Sequence, residues 1–178
     1  MELRRPTLAD KDAILAMMAE FEEEASLHDG GFWDWEDFVY EDWLASNQDA
    51  EMGLHLPDGW VPAIQLVGFE DGVAVGFLNL RLRLSDYLLN EGGHIGYSIR
   101  PSERGKGYAK ESLRQGLQVA KEKNINKVLV TCSVANSASR AVILANGGQR
   151  EDIRYETERY WIDLEEENEQ SKTTRMEE

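Results

Sequence analysis

The chain has few reactive side chains and few cations. Among its 178 residues there is one cysteine, Cys132, and there are three histidines. A lone thiol cannot close an internal disulfide, so no disulfide framework is expected. His28 and His55 have no partners at metal-ligand spacing, and no metal is expected. No apolar run approaches the roughly 20 residues that a membrane-crossing helix needs. The N-terminal run Met1-Glu2-Leu3-Arg4-Arg5-Pro6 lacks the apolar stretch of a signal peptide. A cytoplasmic protein with no membrane partner is the expectation. Lys and Arg number 19 against 34 Asp and Glu, a formal charge of −15. That balance argues against a nucleic-acid partner, whose phosphates call for a basic footprint. The acid suits a cationic substrate or simply a soluble surface. The second is favoured, because many acids fall on helix faces and in the C-terminal tail.

What is present fits one domain, residues 1–164, followed by an acidic tail, 165–178, expected to be disordered. Ile14, Met17, Met18, Phe21 and Ala25 recur at helical spacing and predict a first helix over 9–26. A second helix is expected over 32–47, with Trp33, Trp35, Phe38 and Trp43, and a loop over 48–62. Strands are expected at 63–70 and 73–84, turning at Asp71-Gly72. In the second of them Leu78, Leu80, Leu82 and Leu84 alternate with Phe77, Asn79, Arg81 and Arg83, so the two sets face opposite sides. A strand at 94–99, a helix at 105–124, a strand at 127–133, a helix at 137–146 and a hairpin of 149–155 with 158–164 follow. Glu2 to Arg4 can supply a short first strand. This order predicts an α/β (α+β) fold, a mixed sheet with helices on it.

The most informative stretch is Arg104-Gly105-Lys106-Gly107-Tyr108-Ala109, between the strand His94 to Ile99 and the helix carrying Leu113, Leu117 and Ala120. A helix start leaves backbone N–H groups unpaired and adds a favourable dipole, and glycine lets an anion come close. A phosphate or pyrophosphate cradle is expected. The spacing excludes a P-loop, and Lys110 stands where a dinucleotide fingerprint needs its third glycine.

The pattern resembles the acetyl-CoA loop of the GNAT superfamily of N-acetyltransferases, Gln/Arg-x-x-Gly-x-Gly/Ala, with Arg104, Gly107 and Ala109 at the fixed places. Ile99-Arg100-Pro101 precedes it as in that family. Asn136-Ser137-Ala138-Ser139-Arg140, leading to Asn146-Gly147, is similar to the family's Asn-x-x-Ser/Ala segment. The resemblance covers residues 94–148 and is weak before 60, where acceptor specificity usually resides.

The resemblance implies a GNAT-like acyl-CoA N-acyltransferase fold, mostly antiparallel, with a splayed parallel strand pair, 94–99 and 127–133. It implies acetyl-CoA as co-substrate, an amine small molecule as acceptor, and a homodimer as a common assembly. Pantetheine would pair with the strand edge at Ile99, and pyrophosphate would sit on Arg104, Gly105, Lys106, Gly107, Tyr108 and Ala109. Asn136 would hold pantetheine from the other side, while Ser139 either caps its helix or touches the cofactor. Catalytic candidates are the Ile99 N–H as oxyanion donor, His94 or Glu91 as base, and Ser139 as a group near the sulfur. Many members carry a tyrosine where this chain has Ile143. Ser139, Cys132 or a tyrosine from elsewhere is then available to protonate the thiolate, or no acid is needed. Arg81 and Arg83 read as a carboxylate site on the acceptor or as a solvated face. The tryptophans read as core or as a wall for a cation. Cys132 reads as a buried small hydrophobe. Tyr160-Trp161 line either the acceptor site or the core. Two other functions remain open, an acyl-CoA sensor without turnover and an acetyltransferase for protein lysines or N-termini.

Overall fold

A computed structural model describes residues 1–165. The expectation of a disordered acidic tail therefore lies outside the described residues, except for Glu165. Seven strands form one sheet in the order β1-β2-β3-β4-β5-β7-β6. They are β1 (Glu2–Arg4), β2 (Ala63–Glu70), β3 (Val73–Arg81), β4 (Ile95–Ile99), β5 (Lys127–Ser133), β6 (Gln149–Arg154) and β7 (Thr157–Asp163). All neighbours are antiparallel except β4 and β5.

Two apolar faces decide where the helices go. Leu78 and Leu80 of β3 join Ile64, Leu66, Ile95 and Val130 in one core, which α3 (Tyr108–Glu122) covers with Leu113, Leu117 and Ala120. The α4 helix (Ser137–Ala145) adds Ile143 to the same side. Phe77 faces the other way, into a core built with Ile14, Met17, Met18 and Phe21 of α1 (Lys11–Glu23) and with Tyr40 and Trp43 of α2 (Tyr40–Glu51). The alternation expected along β3 thus sorts its side chains between two helical layers.

The first two helices differ from expectation at their ends. A 3-10 turn, Leu8–Asp10, precedes α1, with the Asp10 carboxylate accepting from the Thr7 N–H at 2.8 Å. At the other end Ala25 adopts φ 46°, and the Ser26 N–H returns to the Phe21 carbonyl at 3.0 Å. That closure stops the helix before the predicted Ser26. Residues 32–39, expected to be helical, form a loop. Asp34 accepts from the Glu36 N–H at 3.1 Å, and Asp37 has φ 56°, so local Asx bonding and a left-handed residue break the helix pattern. The helix begins at Tyr40 and runs on to Glu51, into the expected loop. Trp43 is buried and Trp33 half-buried, whereas Trp35 is exposed. The long strand ends at Arg81, three residues early, where the Leu82 N–H turns to the Pro62 carbonyl at 2.9 Å.

The loop after α1 is pinned to the middle of β4. Gly30, with φ +79°, lies against the Gly96 carbonyl so closely that any Cβ would overlap it. Gln65 holds the Gly30 carbonyl through its side-chain amide at 2.7 Å. Only glycine allows this approach.

Candidate active site

The parallel pair opens almost at once. The register of β4 with β5 is the single pair Ile95↔Val130, with the His94 N–H reaching the Leu129 carbonyl at 2.8 Å. On its other side β4 pairs with β3 through Ile99. The Arg81 N–H donates to the His94 carbonyl and the Arg100 N–H to the Val75 carbonyl, so the even-numbered residues of β4 bond β3. The main-chain groups of Tyr97 and Ile99 are therefore turned toward the gap that β5 leaves.

A cleft of about 1890 Å³ occupies the gap and continues across the sheet edge. Typical small-ligand pockets hold roughly 300–1,000 Å³, so two ligands fit. One half is lined by Ile99, Arg104, Gly105, Gly107, Tyr108 and Ala109 with Asn136 and Ser139; the other half is reached by His28 to Phe32, Arg81, Glu91 and the connection before β2.

The loop from Arg104 to Ala109 has an open backbone. Gly105 and Gly107 take φ +77° and +84°, and open space surrounds the position of a Cβ at each. The first N–H groups of α3 have no intrahelical acceptor and point into the loop. The cations are more engaged than expected. Arg104 donates through Nε to the Ile99 carbonyl at 3.0 Å and through Nη2 to Ser26 Oγ at 2.8 Å. It thereby braces β4 against the end of α1. Lys106 pairs with Glu103 at 2.7 Å and is half exposed. Asn136 caps α4 by accepting from the Ser139 N–H at 3.0 Å.

His94 is placed differently from a group that meets substrate. It is buried, and its Nδ1 accepts the Leu129 N–H at 2.9 Å. The ring acts as a zip at the last point where β4 and β5 touch. Burial, then the charge of Arg81, holds its pKa down to about 4. Glu91 lines the cleft, on a π-helical turn (Leu88–Gly92) whose Glu91 carbonyl accepts from Thr131 Oγ1 at 2.6 Å.

Tyr97 was not singled out by its sequence context, yet it stands in the cleft with its hydroxyl 2.7 Å from Ser139 Oγ. Burial pushes its pKa up to about 12, so it stays protonated. The signal was available: period two on β4 places Tyr97 on the face that α4 covers. His28 also lines the cleft. Its Nδ1 lies 2.6 Å from the Gly31 carbonyl, which can only accept, so Nδ1 carries a proton. The ring stacks on Trp33 at 3.6 Å. Only the tertiary path of the loop over Gly96 brings it here.

Cys132 lines the cleft but stays a thiol, pushed up to about 11 by burial and the neighbouring Glu158. Glu158 is itself held down to about 2 by Arg140, at 2.8 and 2.7 Å, and by the Tyr160 hydroxyl. Tyr160 thus belongs to the core, while Trp161 is half-buried and donates to Glu151 at 2.7 Å. Arg83 is exposed.

The family described as Acetyltransferase (GNAT) domain matches residues 1–149. No curated protein matches the chain in sequence. Among solved structures, yncA from Salmonella typhimurium, a putative acetyltransferase with its cofactor acetyl-CoA, is 18% identical with a TM-score of 0.58, covering 92% of this chain and 93% of that one. RimJ of Mycobacterium smegmatis in complex with CoA-disulfide is 20% identical with a TM-score of 0.66, over 92% and 82%. A chimera of Vibrio cholerae spermidine N-acetyltransferase SpeG and hSSAT is 18% identical with a TM-score of 0.61, over 93% and 98%. At these identities the likeness is one of fold.

Proposed function

The chain belongs to the GNAT acetyltransferase family, and from that premise we propose that it transfers the acetyl group of acetyl-CoA to a primary amine of a small molecule, by direct attack in a ternary complex. The observation that carries this reading is the gap after Ile95↔Val130, opening beside a glycine loop at the start of α3. A pantetheine arm has amides of its own and can add to the exposed edge as a strand would. The loop N–H groups suit pyrophosphate. A small acceptor is supported by Phe32 and Trp60, which come from different connections and meet edge-to-face at 5.6 Å over the other half of the cleft.

The residues take the following roles. His28 Nε2 accepts the proton that the ammonium must lose, and Glu91 adds negative charge where the amine enters. The amine nitrogen then bonds to the thioester carbon. The oxyanion faces the Ile99 N–H, a donor of a kind worth about 3 kcal/mol in the transition state. The C–S bond breaks, the departing thiolate takes the Tyr97 hydroxyl proton, and the second proton that the nitrogen sheds as the amide forms restores Tyr97 by way of the Ser139 hydroxyl. In this reading His94 is a positioning group for the strand pair, and its Nδ1 is not free to act as the base.

Acetyl-CoA and a panel of primary amines, followed by release of free thiol, test the reading. Thiol release with at least one amine is expected, and His28→Gln should lower kcat on the order of 100-fold while KM for acetyl-CoA stays nearly constant. Tight acetyl-CoA binding with no release for any amine would instead favour a sensor. Asn136 is assigned two jobs that can be separated. Asn136→Asp keeps the helix cap and removes the amide donor. It is expected to leave thermal stability nearly unchanged and to raise KM for acetyl-CoA about tenfold, the loss of one good hydrogen bond. An unchanged KM would restrict Asn136 to capping.

A further inference from the structure

Arg81 is the one feature of the acceptor half that the transfer chemistry does not use. It sits at the end of β3, opposite Ala63, with its N–H committed to the His94 carbonyl. Its guanidinium lies over Gly96, and a Cβ built there would be 3.1 Å from both Nη1 and Nη2. The group lines the cleft. Its hydrogen bond is a long one, 3.3 Å from Nη1 to the Gly92 carbonyl, and the Phe32 ring stands 5.9 Å away.

Among the described residues Arg81 has no ion pair. Arg83, Arg104 and Arg150 have none either, but those three are exposed, whereas Arg81 is half-buried. Arg4, Arg5, Arg100, Arg114, Arg140, Arg154 and Arg159 each have a carboxylate partner. Arg159 shows what this fold does with a buried guanidinium of its own: it supplies Glu151, Asp152 and the Leu89 carbonyl. A largely enclosed cation without a counter-ion is costly unless something else neutralises it. Burial lowers the pKa of Arg81, and Tyr87 and Asp29 only partly offset this.

We propose that Arg81 is the carboxylate subsite of the acceptor, and that the acceptor is an apolar α-amino acid bound as a zwitterion. The guanidinium fork matches a carboxylate with two parallel hydrogen bonds. The ammonium, one carbon from the carboxylate, turns toward Asp29 and His28 on the loop that rests on Gly96. Phe32 and Trp60, 42% and 54% exposed, offer aromatic surface to the side chain. A polyamine, all cation, would be repelled by the unpaired Arg81. The proposal rests on the acetyl-transfer reading of the same cleft and names its substrate class.

The test uses the CoA-loaded protein and calorimetry, with product analogues as probes. They are the N-acetyl derivatives of L-leucine, L-methionine and L-phenylalanine, each against the N-acetyl amine that lacks only the carboxylate. At least one acid is expected to bind about tenfold or more tightly than its partner. Arg81→Gln should erase that gap, while Arg81→Lys, which keeps the charge without the fork, retains part of it. No gap for any pair in the native protein overturns the proposal, as does a gap that survives in Arg81→Gln. Binding of acetyl-CoA alone, and thiol release with the decarboxylated amines, report separately on the transfer reading. Those can succeed while the carboxylate subsite fails.

Discussion

Changing Tyr97 to phenylalanine is expected to lower kcat on the order of 100-fold, the usual contribution of a positioned general acid, while KM for acetyl-CoA stays nearly constant. The ring would keep its place, because its packing is apolar and only the hydroxyl is removed. The lost group is the hydroxyl 2.7 Å from Ser139 Oγ in the half of the cleft that faces the cofactor. With a pKa of about 12 it is a proton donor throughout the neutral range. It is not intrinsically a strong acid, so its value lies in position: the thiolate would otherwise leave into a site with no proton at hand. Ser139→Ala should show a smaller loss, since Tyr97 remains and only resupply is slowed. Steady-state kinetics with a saturating amine decides the matter. A Tyr97→Phe enzyme that keeps its native kcat would mean that CoA leaves as the free anion, and Tyr97 would then be a packing residue.

His94→Ala is expected to destabilise the fold by roughly 3 kcal/mol, combining a buried N–H left without its acceptor and the cavity of a missing ring. The orphaned donor is the Leu129 N–H. The native protein should also lose stability as pH falls from about 6.5 toward about 4. The ring is held neutral in the fold down to about 4, whereas in the unfolded chain it takes up a proton near ~6.5. Across that window the unfolded state binds more protons, so stability rises with pH and is lost on acidification, by up to roughly 3 kcal/mol. Asp10, Glu111 and Glu158, each held down to about 2, lose their contributions as pH falls from the ordinary carboxylate range, near ~4, toward about 2. His94→Asn offers an acceptor in the place of Nδ1. It should recover part of the stability, abolish the slope between the two pH values and leave kcat nearly unchanged. Urea denaturation across pH, together with the kinetic profile, separates these results. A large loss of kcat in His94→Asn would return His94 to the role of base.

The two halves of the site were unequally legible. The shape of the loop from Arg104 to Ala109 could be read because its backbone conformation is written in Gly105 and Gly107. The strand face of Leu78 and Leu80 was readable for a similar reason, a two-residue period that owes nothing to distant contacts. The second helix begins later than expected because the stretch from Phe32 to Asn47, rich in Trp and acid, holds no glycine or proline to mark a break, while the side chain of Asp34 and the turn at Asp37 hold the backbone out of a helix. His94 looked like a base because histidine titrates near neutrality. Whether its nitrogen meets water or a main-chain N–H depends on Leu129, 35 residues away.

By itself the sequence determined one half of the cleft: a mixed sheet, a glycine loop at a helix start, and an asparagine opening the helix opposite. These follow from local rules of dihedral freedom, capping and alternation. The tertiary structure alone decided the other half. It laid Gly30 on Gly96, turned His28 into the cleft, brought Tyr97 to Ser139 and left Arg81 without a counter-ion. Each of these depends on chain segments that are remote in sequence, and burial and pairing, which set their chemistry, exist only once those segments have packed.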